Sequence, residues 1–362
     1  MLYRKFIAPW LLLLLFAPAW GQEKGVEKGW NAVVAAAQKE GKVVVASSPD
    51  PEMRKQIPAA FKTRYGITLE YLGGPSAQLA ERLRRERRAG VYTVDVVLSG
   101  ISTFAEIFYP EKMLEPLRPL LSLPEVLDRT KWKKGKPWFV DPEETYVLRL
   151  FYSVGGSFYI NTDIVKPGEF RSAQFLLDPR WKGKISTEDP RVDGSGSNRA
   201  AELYRQLGEG FIKKLYVDQK PVITRDRRQI TDWLARGTHP ISLTARDPEV
   251  ERMQQEGLPV TVIFDLPDVG GRIEGTRELA LLNRAPHSNA ARLFVNWIAS
   301  KEGLELYSRA YLRASLRNDV DESFLPPQRI PRAGVNYFDS GDWNFAVTEK
   351  DRIRSRISEL LK

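Results

Sequence analysis

Near the middle of the chain, Glu188, Asp189, Pro190 and Arg191 form an acidic turn, and Gly194, Ser195, Gly196, Ser197 and Asn198 form a Gly/Ser loop. A helix-like run starts directly after it, at residues 200–206. Free backbone N–H groups and the positive end of the helix dipole point out of such a junction, so it suits an anionic or polar ligand. Gly196 lets a ligand approach the backbone closely. Ser195 and Ser197 offer neutral donors, although serines at this position serve equally well as helix N-caps. Arg191, Arg225 and Arg246 carry forked donors that match a carboxylate or phosph(on)ate. Thr244 adds a hydroxyl beside Arg246, and Tyr152 could stack on or cover a ligand. Asp189, two residues from Arg191, can instead hold that arginine in an ion pair.

Other chemistries find less support. There is no cysteine, so disulfides, thiolate metal sites and thiol nucleophiles are excluded. The two histidines, His239 and His287, are far apart and lack metal-ligand spacing, so no metal site and no cofactor are expected. Glu143-Glu144, Glu188-Asp189 and Asp265 with Asp268 are carboxylate groupings able to do acid/base work. No Gly-x-Ser-x-Gly elbow, His-Glu-x-x-His or phosphate-binding Gly-Lys-Ser/Thr accompanies them, so a binding protein is favoured over an enzyme such as a hydrolase. The net charge of +9 suits an anionic partner. Nothing resembles a nucleic-acid-binding signature, so no nucleic acid is expected. The arginine-rich run at 82–88 is interspersed with Glu81 and Glu86 and reads as a solvated helix face.

Positioning these residues requires a scaffold, and 362 residues are enough for two cores. Apolar residues at helical spacing mark a helix at 30–38, after a polar, loose stretch at 22–29. β-branched runs at 42–46, 67–72 and 94–98 alternate with helical patterns, the signature of a parallel sheet with crossovers. Ligands of such sheets bind at the carboxyl ends of the strands. Ser47, Ser48, Ser99 and Gly100 occupy those ends and are expected to face the Gly/Ser loop. Asp265 and Gly270 lie in a turn-rich bend and read as hinge residues. At the N-terminus, Arg4 and Lys5 precede an apolar run at 6–16 and small residues ending at Gly21, the pattern of an export signal over residues 1–21. Its removal lowers the net charge from +9 to +7.

Several segments together resemble a known family. Lys39-Glu40-Gly41-Lys42-Val43-Val44-Val45-Ala46-Ser47-Ser48 is similar to its first helix and strand. Val94-Asp95-Val96-Val97 resembles its third strand, and Tyr159-Ile160-Asn161-Thr162 a crossing strand. Trp181-Lys182-Gly183-Lys184-Ile185 with Glu188-Asp189-Pro190-Arg191 and Gly194-Ser195-Gly196 resembles its binding loop. Ala285-Pro286-His287-Ser288-Asn289, followed by Ser300-Lys301-Glu302-Gly303, resembles its C-terminal helix pair. On these residues the chain resembles the periplasmic solute-binding proteins of ABC importers, of type 2 topology, in the branch that contains ferric-binding proteins.

The resemblance implies an α/β fold of two lobes joined by two hinge crossings. Residues 22–150 and 279–362 would form lobe 1, and 151–278 lobe 2. It implies a periplasmic, monomeric protein that closes on a small solute and delivers it to a membrane permease, or reports it to a sensor or chemoreceptor. Ferric members of the branch use an adjacent Tyr-Tyr pair as iron ligands. This chain has no Tyr-Tyr pair and reads Ser242-Leu243-Thr244-Ala245-Arg246-Asp247 in the corresponding region. Arg246 is a poor neighbour for a trivalent cation, so an anionic organic solute is expected ahead of ferric ion.

Overall fold

The structure, a computed structural model, describes residues 20–192, 194–264, 266–274, 277–335 and 337–362. The export-signal segment falls outside the described residues up to position 19, as does the expected hinge residue Asp265. No helix among the described residues is long and apolar enough to cross a membrane.

The first described element is helix α1 (Trp20–Glu40), so the stretch expected to be loose is helical. Its Gln, Glu, Lys and Val residues are compatible with helix, and Gly41 ends it at φ 67°. Strand β1 (Lys42–Ser47) follows, then α2 (Pro51–Tyr65). The Asp50 carboxylate caps α2 by accepting from Met53 N–H at 3.1 Å, with Pro51 at the first helical position. Met53, Ile57 and Phe61 form its buried stripe, and Gly66 ends it in the left-handed conformation.

Strand β2 (Thr68–Gly73), α3 (Ser76–Arg88), β3 (Val96–Ser99) and the short turn α4 (Ile101–Thr103) complete the expected alternation. On α3 the basic run is a solvated face: Arg82 pairs with Glu86 and Arg84 with Glu81, each at 2.6 Å, while Leu83 is buried. Next come β4 (Leu114–Glu115), the turn α5 (Pro124–Leu127), β5 (Trp138–Phe139) and β6 (Leu148–Arg149).

The chain then passes through β7 (Ser153–Gly155) into β8 (Phe158–Asn161), β9 (Ile185–Glu188), α6 (Ser195–Lys213), β10 (Val222–Thr224), α7 (Arg227–Arg236), β11 (Ile241–Ser242), α8 (Asp247–Gln255) and β12 (Val260–Ile263). It returns through β13 (Arg272–Glu274) to β14 (Glu278–Leu282), α9 (Ser288–Ala299) and α10 (Lys301–Tyr311), and ends with β15 (Phe338–Asp339) and α11 (Lys350–Leu360).

These elements build two α/β lobes. The first sheet has the order β2-β1-β3-β14-β6-β5, with β4 also paired to β14. Strands β1, β2 and β3 are parallel, with Val45 opposite both Tyr71 and Val96, and β14 runs antiparallel with Glu278 opposite Ser99. The second sheet has the order β10-β9-β11-β8-β12. Each sheet has its own buried core. Phe61, Phe294 and Trp297 anchor the first, and Phe158, Trp181 and Ile185 the second.

A three-stranded ribbon, β15-β13-β7, joins the lobes. Strands β7 and β13 lie at the two crossings, whereas Tyr159-Ile160-Asn161, read from the sequence as a crossing strand, belongs to β8 inside the second sheet, where it pairs with β11 and β12. Strand β15 is a third passage, parallel to β13 and so running in the same sense, ahead of the last helix. The expected division placed residues 279–362 together in lobe 1. In the structure α11 instead packs on α6, and Phe345, Ile353 and Ile357 are buried in the second core. The apolar stripe of α11 has its complement there, which a linear reading of the tail does not reveal.

Candidate functional site

The ends of several elements converge on one polar cavity of about 320 Å³ between the lobes. Ser195, Asn198 and Arg199 come from the first turns of α6, and residues 243–248 from the segment that leaves β11 and opens α8. Tyr311 and Arg313, at the end of α10, form the facing wall. Arg272 and Ser340 come from the ribbon. The lining thus holds four arginines (Arg199, Arg246, Arg272 and Arg313) against one carboxylate, Asp247.

That carboxylate is already committed. Asp247 accepts from both sides of the site: from Gly156 N–H at 3.2 and 3.0 Å, from Tyr159 O–H at 2.7 Å and from Arg329 at 3.2 Å. Burial by itself would push its carboxyl up from the ordinary value. The Arg329 charge, the Tyr159 hydroxyl and the Gly156 N–H outweigh burial and hold it below the usual carboxylate range. Arg199, only 2% exposed, donates to Glu202 at 2.8 Å, to Leu243 C=O at 3.2 Å and to Gly156 C=O at 2.8 Å. The Gly156 peptide, just past the first crossing, is therefore gripped at its N–H from α8 and at its C=O from α6. A Cβ at position 156 would collide with Asp247 and Val262, so only glycine fits.

Of the residues expected from sequence, Ser195, Thr244 and Arg246 line this cavity. Thr244 is also structural, its hydroxyl accepting from Glu188 N–H at 2.8 Å. Arg246 keeps a loose pair with Glu249 at 3.7 Å, its side chain 55% exposed.

The acidic turn is different. Asp189 accepts from Arg191 through both carboxylate oxygens, at 2.8 and 3.0 Å, and stands 3.5 Å from Arg225. The Arg191 hydrogen bonds hold the Asp189 carboxyl below its ordinary range. Neither arginine lines the cavity. Ser197 turns its hydroxyl back onto Gly194, accepting from its N–H at 3.2 Å and donating to its C=O at 3.1 Å. Gly196 is dictated by packing, because a Cβ there would lie 2.5 Å from Glu188 C=O. Tyr152 packs against Trp138 at 5.6 Å, with Lys134 over its ring, on the edge of the first core.

The strand-end residues of the first lobe stop short of the cavities. Ser47 and Ser99 are buried with unpartnered hydroxyls, and Ser48 bonds to Ser76 at 3.0 Å. Gly100 precedes the short turn α4. The next residues along, Pro49 and Asp50, do line the cleft, in a second cavity described below. Gly270 lies just before β13 beside a separate hollow behind the ribbon.

The residues missed from sequence are Tyr159, Asn198, Arg199, Asp247, Arg272, Tyr311, Arg313 and Ser340. Asn198 and Arg199 had a visible signal, since they continue the Gly/Ser loop into the first turn of α6. Tyr311, Arg313 and Ser340 had none, because only the tertiary fold brings the end of α10 and the third passage to this place.

Neither histidine is a ligand candidate. His287 Nδ1 meets buried Asp95 at 2.9 Å, and His239 packs edge-on against Trp233, with burial lowering its basicity. Among the described residues no group of three or more His, Asp or Glu is placed to hold a metal.

Comparison with known proteins agrees with this architecture. The profile of the family described as bacterial extracellular solute-binding protein matches residues 42–313. An uncharacterized Haemophilus influenzae protein is 25% identical over 291 residues, covering 76% of this chain and 78% of its own. Among solved structures, the Trichodesmium protein IdiA (FutA) in complex with iron and citrate superposes with a TM-score of 0.68 at 16% identity, over 88% of this chain and 99% of its own. The Bordetella ferric binding protein gives 0.66 at 17%, over 88% and 98%. AfuA from Actinobacillus pleuropneumoniae, with fructose-6-phosphate bound, gives 0.60 at 18%, over 89% and 98%. At these identities the structures speak for the fold, which is that of type 2 periplasmic binding proteins. With three quarters of the chain inside the family profile and two lobes around an interlobe cleft, the chain belongs to the bacterial extracellular solute-binding proteins.

Proposed function

We propose that this protein is the exported, periplasmic substrate-binding component of an ABC importer. It captures a small organic anion between its lobes and delivers it, as a monomer, to a membrane permease. The observation that carries the reading is the arginine-rich cavity at the start of α6. Its guanidinium groups and the helix N-terminus favour negative charge, while Ser195, Asn198 and Thr244 supply neutral hydrogen-bonding partners. Two phenols, Tyr159 and Tyr311, also line it, but the Tyr159 hydroxyl is bonded to Asp247. A trivalent cation needs several anionic oxygens, and four arginines oppose it. Relatives of the same fold are described with iron and citrate and with fructose-6-phosphate, so both inorganic and organic cargoes are carried on this scaffold. Closure by hinge motion about the ribbon would link binding to the shape the permease meets.

A thermal-shift screen of carboxylates, phosphonates, amino acids, ferric citrate and polyamines tests the reading. An organic anion is expected to raise the melting temperature. Stabilisation by a polyamine or by uncomplexed ferric ion alone would show the reading to be wrong. With the anion in hand, Arg246→Ala is expected to weaken binding at least about tenfold, the loss of one charged hydrogen bond. Arg191→Ala, whose guanidinium is spent on Asp189, is expected to change affinity less than about twofold.

A further inference from the structure

A second cavity of about 1,090 Å³ adjoins the arginine-rich one, and the two share Arg246, Pro248, Tyr311 and Arg313 in their walls. Its chemistry is different. The acids among its lining residues are matched: Asp50 pairs with Arg277 at 3.2 Å, and Glu251 with Arg329 at 2.6 Å. The lining is mixed: Phe264, Leu312, Phe324 and Leu325 give it a larger apolar share than the arginine-rich cavity has, beside Gln254, Gln255, Thr261 and Gln328. The Tyr311 ring stands at the junction, under Arg277 at 4.2 Å and Arg313 at 5.2 Å.

Leu312 is the most informative residue. It ends α10 in the left-handed conformation, φ 53° and ψ 52°, where glycine is the ordinary choice. Its side chain is nevertheless leucine and is 56% exposed on the cavity wall. Neither the backbone conformation nor the exposure favours the fold. An apolar ligand surface laid against it would account for both.

We infer that the cargo is an amphipathic organic anion. Its carboxylate or phosph(on)ate group sits among the arginines beside α6, and an apolar body of phenyl size or larger lies along Leu312, Phe324 and Phe264. This rests on the anion reading above and adds a substrate class to it. The head subsite has room for an inorganic anion, but the volume next to it would then stay filled with water against Leu312, Phe324 and Phe264.

The test compares paired probes by calorimetry on the full mature chain: inorganic phosphate with phenyl phosphate, and acetate with phenylacetate. The aryl member of at least one pair is expected to bind at least about tenfold tighter, as burial of a phenyl group predicts. In Leu312→Gly, a change its backbone conformation accepts, and separately in Phe324→Ala, that ratio is expected to fall to within about threefold. Equal affinity for the aryl and the smaller member of both pairs in the unaltered protein would overturn the apolar subsite and leave the anion reading standing. An aryl advantage that survives both substitutions would also overturn it. Binding of no anion at all would overturn both.

Discussion

At the scale of single residues, the arginines divide by what their neighbours leave them free to do. Arg246 faces the cleft with only a loose partner, whereas Arg191 and Arg225 are drawn to Asp189. The sequence showed three arginines of one type near one loop, but charge pairing is decided by which carboxylate is closest in space. The Asp189 cluster leaves a signature in pH. Its carboxyl is held below the ordinary value chiefly by the Arg191 hydrogen bonds, so its stabilisation is fully present above the unfolded carboxylate range. It is lost as pH falls through the depressed value. The stability difference between the unaltered protein and Asp189→Asn is therefore expected to be largest near pH 7 and to shrink toward about pH 3, as read by thermal denaturation across that range. A difference that stayed constant with pH would show that Asp189 is not held ionised by its arginines.

Elements account for what the linear reading placed well and what it did not. The parallel β1, β2 and β3 were legible because buried parallel strands are continuous apolar runs, separated here by helical patterns. Strand-end reasoning came within two residues of the cleft, naming Ser47 and Ser48 where Pro49 and Asp50 are the lining residues. The last helix, α11, showed its apolar stripe in the sequence but not its partner. It packs into the second core, where Ile357 is fully buried and Ile353 nearly so. Ile357→Ala is expected to lower the unfolding free energy by about 2–4 kcal/mol in chemical denaturation. A loss under about 0.5 kcal/mol would mean that α11 does not contribute to that core.

In the molecule as a whole, one guanidinium ties the three passages together. Arg149 lies just before the first crossing and is 1% exposed. It bonds to Asp339 on the third passage at 2.6 Å, to Gly341 C=O at 2.6 Å, and approaches Glu278, at the end of the second crossing, at 3.4 Å. Burial raises the Glu278 carboxyl above its usual range despite this neighbour, so Asp339 is the firmer partner. Position 341 is glycine because a Cβ would strike the Arg149 guanidinium. Arg149→Ala would leave buried acidic groups without their counter-charge and is expected to cost about 3–5 kcal/mol of stability at neutral pH. A cost near that of an exposed pair, under about 1 kcal/mol, would show that the ribbon is held by backbone pairing alone.

The sequence by itself determined much of this protein. Periodicity, caps and turn residues are local, so the alternation of strands and helices and the Gly/Ser junction at α6 could be read in order along the chain, while the two-lobed class came from the resemblance of its motifs to a known family. The cleft was only partly visible. Ser195, Thr244 and Arg246 belong to segments whose local pattern announces a loop after a strand. Arg272, the pair Tyr311 and Arg313, and Ser340 come from a crossing strand, a helix end and the end of β15, three separate parts of the chain. The third passage and the grip on Gly156 were likewise invisible, because each depends on charges meeting across the fold. Local chemistry proposes which groups can bind. Which of them face the ligand, and which are consumed by one another, is decided by tertiary packing, where a buried charge must find its partner wherever the chain brings one.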